Sequence, residues 1–121
     1  IVQAGIRSMD RSELPSLDRE RVFFAADIHG TGGWVERLIP LLSRHVYITI
    51  DLDVFDPSIM PSTGTPEPGG LDWYEVLGLL KAVCAQRTVV GFDVVELLPG
   101  PLHAPDFTAA KLVYKLLGYI F

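Results

Sequence analysis

The sequence predicts an α/β fold built on a parallel sheet. Short apolar runs rich in β-branched and aromatic residues recur along the chain, and stretches with helical spacing of apolar positions separate them. Four such alternations imply strand–helix–strand units, whose strands run parallel. No repeat, linker or low-complexity run breaks the pattern, so residues 1–121 read as part of a single domain.

The elements follow in order. Ile1 to Ala4 reads as a strand closed by Gly5, and because the chain opens directly on it, with no initiator Met, a start in mid-fold is expected. Ser12 to Arg19 predicts a short polar helix, interrupted by Pro15. Arg21 to Ala26 is the second strand. After Gly32-Gly33, Trp34 to Arg44 predicts a helix with Trp34, Leu38, Leu41 and Leu42 on one face, either kinked at Pro40 or starting late because of it. Val46 to Asp51 is the third strand. Asp72 then caps a helix in which Glu75 closes a capping box, Leu71 staples against Val76, and Trp73, Val76, Leu77, Leu80 and Cys84 form the apolar stripe. Thr88 to Val94 is the fourth strand, ending near Glu96. A last helix from Asp106 or Thr108 buries Ala110, Val113, Leu116 and Leu117 and runs out at Gly118.

The third strand carries the chemistry. Val46-Tyr47-Ile48-Thr49-Ile50 runs straight into Asp51 and Asp53, then Asp56-Pro57 and a loop dense in Pro, Gly and Thr. Carboxylates at the end of an apolar strand need a partner. In extended backbone Asp51 and Asp53 leave the same face, roughly 6.5–7 Å apart along the strand, which suits oxygen ligands for one divalent ion or two neighbouring ones. Ligands of parallel sheets collect at the carboxyl ends of strands, and Glu96 falls at the end of another strand. Asp56, beside Pro57, is expected to bind the backbone of its own turn.

Composition narrows the function classes. The net charge of −5 argues against nucleic acid, which needs basic patches, and mildly favours a cationic ligand. The single cysteine, Cys84, permits no internal disulfide and reads as an inert thiol on a helix's apolar face. No apolar run reaches the ~18–20 residues of a membrane span, and no signal peptide is evident, so a cytoplasmic protein is expected.

Asp51-Leu52-Asp53-Val54-Phe55-Asp56-Pro57, followed by Pro61-Ser62-Thr63-Gly64-Thr65-Pro66-Glu67-Pro68-Gly69-Gly70-Leu71, resembles the signature of the ureohydrolases, the arginase and agmatinase family. Gly5-Ile6-Arg7 resembles a strand-turn upstream of that signature, and Gly91-Phe92-Asp93-Val94-Val95-Glu96 the last active-site strand. The resemblance implies a three-layer α/β/α fold, of which this chain is the C-terminal part with about four strands. It also implies a binuclear manganese centre, with hydroxide held between the ions attacking a guanidinium carbon to release urea and an amine. By the same resemblance Asp51 bridges both ions, Asp53 binds one, Glu96 clamps the guanidinium, Thr65 lines the pocket near the substrate's far end, and Asp10 stands at the rim. Glu67 resembles agmatinases more than arginases, which implies a small cationic guanidino substrate such as agmatine. A homo-oligomer is expected.

The family's upstream ligand motifs, Gly-Gly-Asp-His and Asp-Ala-His-x-Asp, are not found here, so two of six metal ligands and the clamp are present. His29 reads as a loop histidine, His45 precedes a strand away from the acids, and His103 sits in a Pro-flanked loop facing solvent. Two carboxylates alone hold Mn²⁺ weakly, so no appreciable turnover is expected from these 121 residues by themselves. A sheet short of its neighbours is expected to leave unpaired edges or apolar faces. Two alternatives stand beside this reading. One is a haloacid-dehalogenase-like phosphatase with Asp51 as nucleophile and Asp53 as acid/base, in which the Pro/Gly loop has no role. The other is a non-catalytic homologue.

Overall fold

The computed structural model describes residues 1–121. Its four strands are β1 (Gln3–Ile6), β2 (Val22–Phe24), β3 (His45–Asp51) and β4 (Thr88–Val95). Its helices are α1 (Ala25–Gly30), α2 (Trp34–Leu38), α3 (Trp73–Gln86) and α4 (His103–Ile120). All strand pairing is parallel, as expected. The strands form two separate pairs, β1–β2 and β3–β4, rather than one continuous sheet. Between the pairs runs an apolar groove of about 460 Å³, lined by residues 1–7 and 45–51 and floored by Leu38, Leu80 and Val83.

Alternation along β3 decides which face is buried. Ile50 is buried and Ile48 half-buried, whereas Tyr47, Thr49 and Asp51 are exposed. The β4 register sets Phe92 and Val94 beside Ile48 and Ile50, and Asp93 beside Thr49. One face therefore packs into the core formed with α3 and α4, where Leu77, Leu80, Leu112 and Leu116 are buried, and the other carries the polar residues. No helix is long and apolar enough to cross a membrane.

The α3 start is as its sequence dictates. The Asp72 side chain accepts from the Glu75 N–H at 2.7 Å, and the Glu75 carboxylate accepts from the Asp72 N–H at 2.8 Å. Cys84 is half-buried, and desolvation pushes its thiol pKa up, which keeps it protonated and unreactive.

Several boundaries differ from expectation. The second strand stops at Phe24, and Ala25 begins α1; Ala25 and Ile28 are buried on the core side of that turn. The polar helix of residues 12–19 is instead two single 3-10 turns, Leu14–Ser16 and Arg19–Arg21, with Pro15 inside the first. Pro40 ends α2 at Leu38 and forces a 3-10 turn over Ile39–Leu41. α4 starts at His103, earlier than Asp106, and continues past Gly118 to Ile120.

Candidate active site

The site forms where β3 stops. Asp51 ends the strand, and the chain then tightens into a 3-10 turn, Leu52–Val54, closed by the Phe55 N–H on the Leu52 carbonyl at 3.3 Å. Leu52 and Phe55, 0% and 1% exposed, anchor this turn in the core. Asp53 therefore does not follow Asp51 along extended backbone, and the same-face alternation expected of the pair is replaced by a turn. The carboxylates nevertheless remain neighbours: partial desolvation first, then the negative charges of Asp53 and Asp93, hold the Asp51 pKa above its ordinary value.

The loop after the turn is fixed by backbone. The Leu71 N–H donates to the Val54 carbonyl at 2.8 Å, and the Asp56 N–H donates to Leu71 at 3.1 Å. Gly70 lies so close to this crossing that a Cβ there would sit 2.4 Å from the Phe55 carbonyl carbon and the Asp56 nitrogen, so only glycine fits. Asp56 serves its own loop, as expected for an acid before proline. It accepts from the Ser58 N–H and hydroxyl and from the Gly69 N–H, and these hydrogen bonds hold its pKa down to about 2.

That loop meets both expected functional strands. The Thr65 hydroxyl donates to Asp53 Oδ2 at 3.0 Å, so Thr65 stands against an acid of the pair. Gly64 lies against Glu96, whose Oε2 is 4.0 Å from where a Cβ on Gly64 would be. The Leu98 N–H donates to the Ser62 carbonyl at 2.9 Å, tying the β4 exit to the same loop. Glu96 itself is in the left-handed region at φ 66°, the only non-glycine residue with positive φ. Such a backbone costs of order 1–3 kcal/mol and recurs at functional positions.

Asp10 is not joined to the other four by any hydrogen bond. Its carboxylate accepts from the Ser12 N–H and hydroxyl, which lowers its pKa. Its loop does reach the site's edge, where the Ser8 hydroxyl donates to Glu67 at 2.7 Å. His29 is helical rather than in a loop. Its Nε2 lies 3.3 and 3.0 Å from the Gly69 and Gly70 carbonyls and its Nδ1 3.5 Å from Glu75, so it pins the loop's end to α1 and α3. His103 is the first residue of α4 and exposed, and His45 opens β3.

Two residues of the site escaped sequence reasoning. Asp93 accepts from the Thr49 hydroxyl at 2.6 Å, and its interaction with Tyr47 raises that phenol's pKa. An acid inside an apolar strand, costly unless partnered, is the signal that singles it out. Arg7 is the other. Its guanidinium donates to the carbonyls of Gly5, Asp53 and Val54, contacts that no local pattern encodes.

The donor set fits divalent cations in part. The Asp51 carboxylate takes no hydrogen bond from the protein, Asp53 takes one at Oδ2, and neither is in a salt bridge. Hard, un-neutralised oxygens of this kind suit Mg²⁺, Ca²⁺ or Mn²⁺. No group of three or more His, Cys, Asp or Glu side chains could hold an ion, so the remaining ligands would have to come from elsewhere.

Comparison with known proteins agrees with this geometry. A family model described as the arginase family matches residues 1–118. The chain is 48% identical to the N(1)-aminopropylagmatine ureohydrolase of Thermus thermophilus, over 98% of this chain and 41% of that protein. It is 38% identical to the agmatinase of Pyrococcus horikoshii, over 94% of this chain and 41% of that one. The solved proclavaminate amidinohydrolase of Streptomyces clavuligerus superposes with a TM-score of 0.84 at 34% identity, over 98% of this chain and 42% of that structure. The chain thus spans about two fifths of the length of the relatives it matches. Strand-end acids, the Thr- and Gly-rich loop and the arginase-like fold are accounted for together, with no need of a phosphatase: the chain belongs to the arginase family.

Proposed function

We propose that this chain is the C-terminal part of a longer ureohydrolase, which hydrolyses a guanidino compound with a cationic far end to urea and an amine. Agmatine and its N(1)-aminopropyl derivative are the candidate substrates, since relatives at 38% and 48% identity are named for them. One observation carries the reading. A single loop, residues 61–70, holds Thr65 against Asp53 and Gly64 against Glu96, so it links the acid after β3 to the acid after β4.

Each residue then has a role. Asp51 and Asp53 would hold divalent ions, of which manganese is the proposed one, together with ligands from outside these 121 residues. Bound there, such ions supply an acidified water as nucleophile at neutral pH. Thr65 fixes Oδ2 of Asp53 and leaves Oδ1 free to ligate. Glu96 would take the flat guanidinium in a two-pronged, charge-assisted fork, which sets orientation as well as attraction. Its left-handed backbone sits just past the end of β4, with Oε2 beside Gly64 of the loop. The acidic balance of the chain, −5 overall, favours approach of a cationic substrate.

Urea release by the full-length protein, from agmatine and from N(1)-aminopropylagmatine with and without Mn²⁺, tests this. Metal-dependent release is expected, with Glu96→Gln lowering kcat/KM about 10–100-fold through the lost charged hydrogen bonds. Absence of urea from every guanidino compound offered, with metal present, would overturn it.

A further inference from the structure

We propose that Arg7 is a positioning residue that sets Asp53 for metal binding through the backbone while leaving its charge un-neutralised; this rests on the metal reading above. The β1–β2 register shifts between Ala4 and Ile6, and Gly5 at the shift adopts φ +83°. Such a bulge re-aims the residues that follow it. It also lets β1 approach the Leu52–Val54 turn, since a Cβ on Gly5 would sit 2.5 Å from Val54 Cγ2. Arg7 then reaches across. Its Nη1 donates to the Gly5 carbonyl at 3.0 Å and to Val54 at 3.3 Å, and its Nη2 donates to the Asp53 carbonyl.

Asp53 is thereby held at both ends, by Arg7 at its main chain and by Thr65 at its carboxylate. A guanidinium seated on the Asp53 main chain could in principle pair with a carboxylate instead. Arg7 makes no salt bridge, although its Nε is buried without a partner. Its planar fork directs the donors at carbonyls, and the acids stay available to a cation. A lysine presents its three donors from a single nitrogen rather than from a spread planar fork, and its mobile ammonium would be free to settle on a carboxylate and compete with the metal.

The test titrates Mn²⁺ into the full-length apoprotein and follows free Mn²⁺ by electron paramagnetic resonance. Wild type, Arg7→Lys, Arg7→Gln and Asp53→Asn are compared. Asp53→Asn is expected to lose the ion it ligates. Arg7→Lys is expected to weaken binding roughly 10–100-fold, the range for groups that orient a metal ligand, with Arg7→Gln also weakened. Circular dichroism should be unchanged, and excess Mn²⁺ should restore turnover at an unchanged KM. Wild-type affinity in both Arg7 variants would overturn the inference, as would failure of both to fold, which would make Arg7 a stability element. Wild-type affinity in Asp53→Asn, or no binding in the wild type, would overturn the metal reading and this inference with it.

Discussion

Replacing Leu52 by alanine strikes the hinge between core and site. Leu52 is 0% exposed and shares the core with Phe55, Met60 and Leu71, themselves at most 1% exposed. Burial of this kind makes a leucine-to-alanine change cost about 2.7–5 kcal/mol, depending on how far the surroundings collapse into the cavity. Collapse here is restricted, because the turn is tied by Phe55 to Leu52, by Leu71 to Val54 and by Arg7 to Asp53 and Val54. The loss should therefore fall in the upper half of that range, about 4 kcal/mol. Leu52→Met, which nearly conserves volume, should cost less than about 1.5 kcal/mol. Denaturant unfolding of the full-length protein, analysed by linear extrapolation, measures both. A loss below about 1 kcal/mol for Leu52→Ala, or equal losses for the two variants, would refute the idea that Leu52 anchors the Asp51–Asp53 turn.

Further expectations follow from the same geometry. Glu96→Gly should release left-handed backbone strain and stabilise the protein by about 1 kcal/mol in thermal unfolding, while abolishing urea release. Because the Asp56 pKa is about 2 in the fold and near its usual value of about 4 when unfolded, its contribution is full above pH 4 and is lost as pH falls toward 2. Asp56→Asn should flatten the acid limb of the stability–pH curve in that window, which acid titration followed by circular dichroism would show. Asp72→Ala breaks the capping box of α3 and should cost about 1 kcal/mol in the same unfolding measurement.

The legible parts of the fold were those encoded locally. The Asp72–Glu75 box and the α3 stripe are short-range patterns, and both appear where the spacing puts them. The parallel pairing of β3 and β4 follows from the α3 crossover between them, whereas β1 and β2 pair parallel across a connection that holds only 3-10 turns. What the spacing missed depends on distant partners. The turn at Asp53 is held by Leu71 and Arg7, and His29 in the last turn of α1 is tied to the Gly69 and Gly70 carbonyls, 40 and 41 residues away. At the site, the motif singles out Asp51, Asp53, Thr65 and Glu96; in the structure the loop of residues 61–70 touches Asp53 through Thr65 and Glu96 through Gly64, while Asp51 stands beside Asp53 at the end of β3. Asp10 was also named, but its carboxylate is occupied by Ser12. Arg7 and Asp93 stayed hidden because their roles lie in carbonyls and hydroxyls on neighbouring strands.

Anomalous diffraction from crystals of the full-length protein grown with Mn²⁺ tests whether Asp51 and Asp53 ligate the metal. Manganese peaks are expected within bonding distance of the Asp51 carboxylate and of Asp53 Oδ1, with Glu96 across the rim. Peaks elsewhere, with both aspartates bound only to water or to protein donors, would contradict it.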